Sequence, residues 1–261
     1  MRKIRLKRAK HTKNRRKRRT DLMRNTIADL LVRNHLESYA TDGICTLCEA
    51  ICLAVSEKNK VMNLTAVKEP ARMALLHITD SLSAAPYLPQ NARVLDVGSG
   101  GGFPALPLAA ARPDLRIVAL DSTAKKMEFV KQTAESLGLR NLSTLSARAE
   151  EASHNDSLRG SFDVVISRAV ASLPILCELC LPFVKKGGLF VAMKGEKAEE
   201  ERALAGNAAK TLGGGDWQSI PLSLSDGVES FSRFLLICEK VGACEKKYPR
   251  SFAAMSKNPL K

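Results

Sequence analysis

The sequence lacks any long apolar run. No apolar stretch approaches the roughly 20 residues that a helix needs to cross a bilayer, and no apolar segment follows the charged N-terminus as it would in a secretory signal. Internal repeats are missing as well. Hydrophobic residues make up 45% of the chain, which is ordinary for a folded domain. We therefore expect a cytoplasmic globular protein without membrane association.

Acidic residues are absent from the first 19 positions, which hold twelve lysines and arginines. The rest of the chain contains the other 29 of the 41 basic residues against 27 acidic ones, so only +2 of the net charge of +14 belongs to it. A segment of this composition cannot bury a core, and we expect residues 1–19 to be a disordered basic tail. Such a tail attracts a polyanion or stays solvated, and composition leaves both alternatives open.

The seven cysteines are an odd number, and without a secretory signal we expect reduced thiols. The pairs Cys45-x-x-Cys48 and Cys177-x-x-Cys180 have a spacing that zinc sites use. Both pairs fall inside apolar, helix-like patterns, where residues three apart share one buried face. The turn residues of a zinc knuckle are missing, so we predict packing and no bound metal.

Apolar residues recur at intervals of three and four from about residue 20 to 57, which predicts helix. We expect Asp42-Gly43 to break this stretch into two helices. A polar turn and a short helix around Met73 to Ser83 follow. The pattern predicts a helical N-terminal extension over residues 20–90 that packs on a core domain over residues 91–261.

From residue 93 onward, short apolar strands alternate with helical patterns. Such alternation predicts an α/β fold with a mostly parallel sheet and helices on both faces. A turn at Asp226-Gly227 joins the last two strands and predicts an antiparallel C-terminal hairpin. The predicted strands are Arg93–Val97, Arg116–Leu120, Leu142–Leu145, Asp163–Ser167, Gly188–Lys194, Trp217–Leu224 and Arg233–Lys240. The predicted helices are Phe103–Ala111, Ala124–Leu137, Leu173–Phe183 and Glu196–Lys210.

The first predicted strand runs directly into a glycine-rich segment, Val94-Leu95-Asp96-Val97-Gly98-Ser99-Gly100-Gly101-Gly102-Phe103-Pro104. Glycine lets a ligand lie against bare backbone and allows positive φ, whereas a loop that only turns the chain is weakened by so many glycines. Pro104 suits the first turn of a helix, where its missing N–H costs nothing. The segment predicts a ligand-binding loop between a strand and a helix.

Asp121 stands at the end of the second predicted strand, where an acid can accept hydrogen bonds from both ribose hydroxyls of an adenosine. NAD and S-adenosylmethionine both present such a ribose. NAD prefers Gly-x-Gly-x-x-Gly, because its pyrophosphate binds the helix N-terminus. The spacing here favours S-adenosylmethionine, and the closing hairpin is more typical of a class I, Rossmann-like methyltransferase than of a dehydrogenase. The candidate cofactor-binding residues of the loop are Asp96, Gly98, Gly100 and Gly102.

Further short motifs occur in order along the chain. They are Asn63-Leu64-Thr65, His77 with Asp80-Ser81-Leu82, Asp121-Ser122 with Lys125-Lys126, Arg148-Ala149-Glu150-Glu151, Ser167-Arg168-Ala169, Met193-Lys194-Gly195, Arg233-Phe234-Leu235, and Tyr248-Pro249-Arg250 with Lys257 and Pro259. With the glycine loop, they make residues 63–261 resemble the RsmG/GidB family, whose members methylate guanine N7 in 16S ribosomal RNA. The family often has Arg where Leu76 stands, and Gly and Pro where Ala253 and Met255 stand.

The resemblance implies S-adenosyl-L-methionine as the cofactor and 16S ribosomal RNA or the small ribosomal subunit as the partner. We expect the chain to act as a monomer. The implied cofactor contacts lie after the first four strands, at the edge where ligands bind in a doubly wound sheet. They are Gly98, Phe103, Asp121, Ser122, Ala149, Glu150 and Arg168.

Methyl transfer to guanine N7 needs no general base, because N7 carries an in-plane lone pair and no proton. We therefore expect the protein to contribute alignment and exclusion of water rather than a catalytic triad. His77 and Asp80 are three residues apart on a predicted helix, and we interpret them as a structural polar pair.

Two cations follow the fourth and fifth predicted strands and are the candidate catalytic residues, Arg168 and Lys194. Either could bind guanine O6 or a phosphate. The alternative is a solvated side chain or a salt bridge with Glu150 or Glu196. Candidate RNA-binding residues, each of which could equally lie on a solvated face, are Lys125, Lys126, Arg148 and Arg233.

Two other functions stay open at this point. One is a nucleotide-binding oxidoreductase, which a cofactor titration would separate from a methyltransferase. The other is a non-catalytic RNA-binding or ribosome assembly factor built on a methyltransferase fold. The intact glycine loop and Asp121 argue against it.

Overall fold

Three longer helices and two single-turn 3-10 helices, Glu37–Tyr39 and Ala85–Tyr87, precede the sheet in the computed structural model, which describes residues 22–260. The predicted basic tail lies outside the described residues. Helix α1 spans residues 22–33, and α2 spans Asp42–Lys58. Helix α3 is continuous through three stretches, of which the middle one is π-helical: Pro70–Met73, Ala74–Thr79 and Asp80–Leu82. Within residues 22–260, no helix is long and apolar enough to cross a membrane.

The predicted helix break at Asp42-Gly43 is wrong in position. The chain turns before these residues, between residues 34 and 41, where His35 has a φ of 59°. Thr41 caps α2, because its side chain accepts a hydrogen bond from the Ile44 N–H. Asp42 therefore opens α2, in the first turn, where a negative charge is favourable.

A seven-stranded sheet forms the centre of the fold. Its order is β3-β2-β1-β4-β5-β7-β6, and every neighbouring pair is parallel except the two that involve β7. The mostly parallel sheet and the antiparallel C-terminal hairpin confirm the predicted fold class. The strands are β1 Arg93–Val97, β2 Arg116–Asp121, β3 Leu142–Ser146, β4 Phe162–Arg168, β5 Val184–Lys194, β6 Gly214–Ser225 and β7 Ser230–Lys240.

Helices cover both faces of this sheet. The buried side chains of α1 to α5 form one hydrophobic cluster, and those of α7 to α9 belong to a second cluster. The last helix, α9, is one that the sequence pattern did not predict, because its six residues are too few to show a period. The remaining bounds are α4 Ala105–Ala111, α5 Ala124–Ser136, α6 Ala149–Ala152, α7 Leu173–Cys180, α8 Ala198–Thr211 and α9 Phe252–Lys257.

The strand order reverses at β1, which lies between β2 and β4. The chain leaves β1 toward β2 and later returns to the other side of β1 as β4. The connections that follow β1 and β4 therefore separate at the carboxyl edge of the sheet and leave a crevice there. This crevice positions the candidate site.

Candidate active site

A cleft of about 450 Å³ lies at the carboxyl ends of β1 to β4. It collects most of the predicted cofactor-binding residues from four separate loops. Those that line it are Gly98, Gly100, Phe103, Asp121, Ser122, Ala149, Glu150 and Arg168. Asp96 and Gly102 instead lie behind the lining, where Asp96 is fully buried and Gly102 abuts Leu106.

Three of the four glycines of the loop serve different purposes. A Cβ on Gly98 would come within 2.2 Å of the Val170 side chain, so glycine allows the backbone here to lie close to the loop after β4. A Cβ on Gly102 would come within 2.4 Å of Leu106, so this glycine allows α4 to pack against the loop. Gly100 has a φ of +56°, and the nearest atom to an added Cβ is 3.9 Å away. Open space above the Gly100 backbone is what a bound ligand requires.

Asp121 holds the loop from the end of β2. Its Oδ2 accepts a hydrogen bond from the Gly100 N–H at 3.1 Å, and its Oδ1 accepts one from the Thr123 N–H at 2.8 Å. The carboxylate is half-buried and lines the cleft. Asp121 is therefore held in a fixed orientation at the edge of the cleft.

Two buried polar side chains, Asp96 and Ser99, lie beneath the glycine loop. Asp96 Oδ2 accepts a hydrogen bond from the Ala105 N–H at 3.1 Å. Asp96 Oδ1 and Ser99 Oγ are buried, and neither has a hydrogen-bond partner within the described part of the chain. Burial raises the pKa of Asp96 to about 7. The Ser99 hydroxyl opposes this rise in the pKa of Asp96, so the two buried groups interact with each other beneath the loop.

Aromatic and cationic side chains form another wall of the cleft. The His77 ring stacks on Phe103 at 4.6 Å between centroids, and the Arg168 guanidinium lies 5.6 Å from the centre of the Phe103 ring. Burial, followed by the charge of Arg168, lowers the pKa of His77 to about 4. His77 is therefore uncharged at neutral pH, and Arg168 supplies the positive charge on this wall.

Comparison with known proteins decides the family. The family model GidB, described as rRNA small subunit methyltransferase G, matches residues 46–223. The protein named ribosomal RNA small subunit methyltransferase G from Deinococcus radiodurans is 43% identical over 204 residues, which cover 77% of this chain and 80% of that protein. The protein of the same name from Alkaliphilus metalliredigens is 41% identical over 209 residues, which cover 78% and 86% of the two chains. The chain belongs to the rRNA small subunit methyltransferase G family. The predicted enzyme class is thereby confirmed.

Solved structures support the fold of this family member. A putative O-methyltransferase from Klebsiella pneumoniae superposes with a TM-score of 0.51 at 15% identity, covering 74% of this chain and 90% of the other. TYW2 from M. jannaschii, solved in complex with AdoMet, superposes with a TM-score of 0.50 at 17% identity, covering 63% and 76%. At such identities the likeness concerns the fold, which is that of class I methyltransferases.

Arg168 is held in this methyltransferase by a carboxylate that the sequence did not single out as its partner. Asp80 Oδ2 accepts a hydrogen bond from Arg168 Nη1 at 2.8 Å, and Asp80 Oδ1 accepts one from Arg233 Nε at 3.1 Å. Arg168 Nη1 also donates to Leu76 O at 2.9 Å. Asp80 is almost fully buried, so this pairing stabilises an otherwise costly charge. It also joins α3 to the ends of β4 and β7.

His77 and Asp80 both have structural polar partners, but they are not hydrogen-bonded to each other. The His77 Nε2 atom lies 2.7 Å from Thr65 Oγ1, and Asp80 is engaged by the two arginines. Thr65 lies twelve residues before His77. Spacing of three on one helix therefore predicted proximity correctly but missed the stronger partners that other elements supply. The salt bridge with Glu150, which the sequence left open as an alternative, is not formed, and Arg168 pairs with Asp80.

Lys194 does not line the cleft. Its Nζ donates to Glu201 Oε2 and to Ala171 O, both at 2.7 Å, and its side chain is 9% exposed. Glu201 Oε2 also accepts a hydrogen bond from the Leu173 N–H at the start of α7. The partner is thus Glu201 rather than the Glu196 considered from the sequence, and the placement favours a structural role for Lys194.

The predicted RNA-binding residues fall in two places. Lys126 and Arg148 line the cleft, and Lys125 is exposed on the first turn of α5. Arg233 is engaged with Asp80, and its guanidinium lies 5.7 Å from the centre of the Phe231 ring. Three of the four cations are therefore close to the cleft on the side of β2 and β3.

The cysteine pairs lie where packing was predicted. Cys45 and Cys48 are buried on α2, and Cys177 and Cys180 are buried on α7. Burial raises the pKa of all four thiols, which keeps them in the protonated form. Residues 22–260 contain no cluster of three or more metal-ligating side chains.

Proposed function

We propose that this family member transfers a methyl group from S-adenosyl-L-methionine to N7 of a guanine in 16S ribosomal RNA, acting as a monomer in the cytoplasm. The observation that carries the proposal is the cleft itself. Open space above Gly100 adjoins the Asp121 carboxylate, at the edge of the sheet where a doubly wound fold binds its ligand. Membership of the family supports ribosomal RNA as the methyl acceptor.

The residues present fit this cofactor. Gly98 and Gly100 would allow it to lie against the loop, Asp121 would accept hydrogen bonds from its ribose, and Ala149 and Glu150 would adjoin its base. Asp96 and Gly102 would act from behind, by holding the loop and α4 in place. When bound, the cofactor supplies an electrophilic methyl group on a sulfonium sulfur.

The side chains of the protein have little proton transfer to perform. Guanine N7 attacks through its lone pair, so the reaction requires no general base. The neutral His77 is already hydrogen-bonded to Thr65 and has a structural role. Arg168 is suited to orient the guanine. Both of its hydrogen bonds to the described chain leave from Nη1, so its Nε and Nη2 groups can donate to guanine O6 or to a phosphate.

A cofactor titration tests the choice of ligand. We expect isothermal calorimetry to show saturable binding of S-adenosylhomocysteine and no binding of NADH. Binding of NADH instead would favour the oxidoreductase alternative. Binding of neither, by a protein with a cooperative unfolding transition, would remove the proposed cofactor site.

Asp121→Ala should weaken S-adenosylhomocysteine binding by about 1–3 kcal/mol, which is roughly 5- to 150-fold in Kd. The change removes the carboxylate that orients Gly100 and would accept the ribose hydroxyls. Calorimetry gives the affinity, and thermal unfolding shows whether the variant is folded. An unchanged Kd in a folded variant would take Asp121 out of the site.

Deletion of residues 1–19 should weaken binding to small-subunit ribosomal RNA and flatten its salt dependence, because twelve cations without an acid bind phosphates mainly by displacing counterions. Each lost phosphate contact reduces the magnitude of the negative slope of log K against log salt by roughly 0.7–0.9. Cofactor affinity should not change, since the described cleft begins at Leu64. Equal slopes for the full and truncated chains would establish that the segment contacts no phosphate.

A further inference from the structure

The C-terminal helix brings to the cleft an aromatic ring that sequence patterns did not single out. Phe252, the first residue of α9, lines the cleft and is 41% exposed. The other phenylalanine of the cleft, Phe103, is 6% exposed and is covered by the His77 ring. Phe252 is therefore the more accessible of the two phenylalanines that line the cleft.

The segment that carries Phe252 is firmly anchored. Glu178 of α7, which is 1% exposed, accepts hydrogen bonds from the Arg250 N–H, Nε and Nη2 at 2.7, 2.8 and 2.7 Å. Arg159 Nη1 donates to Tyr248 O at 2.9 Å, and Met255 of α9 is fully buried. An exposed ring on so rigid a support loses little conformational entropy when a ligand covers it.

Phe252 lies at one particular end of the cleft. His154, which lies just after α6, has its Nε2 atom 3.1 Å from Pro249 O, and Arg159 Nη1 donates to both Ser153 O and Tyr248 O, so the segment before α9 lies beside α6, the helix that follows β3. Leu179, Ala149 and Glu150 also line the cleft. Phe252 thus lies with the residues after β3, which is next to β2 and its terminal Asp121. This is the end where an adenosine would place its base.

We propose that Phe252 is a cofactor-contacting residue that stacks on the adenine of S-adenosylmethionine, an inference that rests on the proposed function. A planar aromatic base matches an open phenyl face, and stacking adds to the gain from burying its apolar surface. The family model matches residues 46–223, so α9 lies outside the matched range.

A tryptophan reporter gives a readout that does not depend on catalysis. The chain contains one tryptophan, Trp217, which lies on the edge strand β6 against Phe190 at 5.8 Å between ring centroids. In the double variant Trp217→Phe with Phe252→Trp, the sole tryptophan faces the cleft. Titration with S-adenosylhomocysteine should quench its emission saturably, with the Kd that calorimetry gives for the same variant. Emission of the unmodified chain, which reports Trp217, is the control and should stay constant.

The affinity for S-adenosylhomocysteine is the second measurement. Phe252→Ala should raise the Kd for S-adenosylhomocysteine by about 3- to 30-fold, whereas Phe252→Tyr, which keeps the ring, should stay within about twofold of the unmodified chain. One combination of results would overturn the adenine contact while the proposed function stands. In that case the unmodified chain binds S-adenosylhomocysteine, Phe252→Ala binds it equally well, and the reporter emission does not respond. Reporter emission that responds to RNA alone would assign the ring to the target base and would also overturn it. If the unmodified chain does not bind S-adenosylhomocysteine, that result contradicts the proposed function.

Discussion

Gly100→Val should abolish cofactor binding while the protein stays folded. The added side chain would enter the open space above the loop, where the nearest atom to a Cβ is now 3.9 Å away. A ligand that lies against bare backbone cannot share that space, so we expect the Kd for S-adenosylhomocysteine to rise by at least about 100-fold. The positive φ of +56° at this position adds a cost of about 1–2 kcal/mol to folding.

Gly160→Val is the matched control for this substitution. Gly160 has a φ of +58°, an added Cβ there would meet nothing within 4 Å, and its N–H donates to a backbone carbonyl, that of Pro182. It does not line the cleft. The two variants should therefore lose similar stability in thermal unfolding, and only Gly100→Val should lose binding in calorimetry. Binding by a folded Gly100→Val protein with near-normal Kd would show that the cofactor lies elsewhere.

Arg168→Ala should lower the rate of methyl transfer by about 10²- to 10³-fold, which corresponds to roughly 2.7–4 kcal/mol. Arg168 supplies the positive charge on the Phe103 wall, and its Nε and Nη2 donors have no hydrogen-bond partner among the described residues. Its loss leaves Asp80 with Arg233 as the remaining ion-pair partner, so folding should be weakened by only about 1–3 kcal/mol. Single-turnover rates at saturating RNA and S-adenosylmethionine measure the chemical step.

Arg233→Ala separates the catalytic from the structural part of this effect. It removes the other guanidinium from the same carboxylate, but Arg233 does not line the cleft. Comparable losses of unfolding free energy are expected for the two variants. The single-turnover rate should stay within about tenfold of the unmodified chain for Arg233→Ala and fall further for Arg168→Ala. Equal rates for the two variants would reduce Arg168 to a structural role.

Local sequence was sufficient to predict the loop and most of the sheet. The strand, the glycines and the following helix are contiguous, so their spacing alone determined where Gly98 and Gly100 would lie relative to β1. Asp121 could be found because it ends the next strand. The C-terminal hairpin followed from alternation and from the turn at Asp226, whose Oδ1 accepts the N–H groups of Val228 and Glu229.

Contacts between distant elements could not be predicted in this way. Asp80 binds partners 88 and 153 residues away, and a single sequence gives no signal that links such positions. Lys194 was a reasonable candidate because it ends β5, yet its ammonium group forms a salt bridge with Glu201, seven residues later on α8. Phe252 escaped notice because its helix has six residues and no readable period.

Methyl transfer from labelled S-adenosylmethionine to small-subunit ribosomal RNA, followed by chemical mapping of N7-methylguanine, tests the central claim most directly. The substrate should be offered both as free 16S RNA and as intact small subunit, with Gly100→Val as the inactive control. We expect label at a single guanine N7, dependent on the unmodified chain and absent with the control variant. Tight RNA binding without any transferred label, from protein that binds S-adenosylhomocysteine, would contradict the enzyme and favour an assembly factor; label on another atom would contradict the N7 assignment.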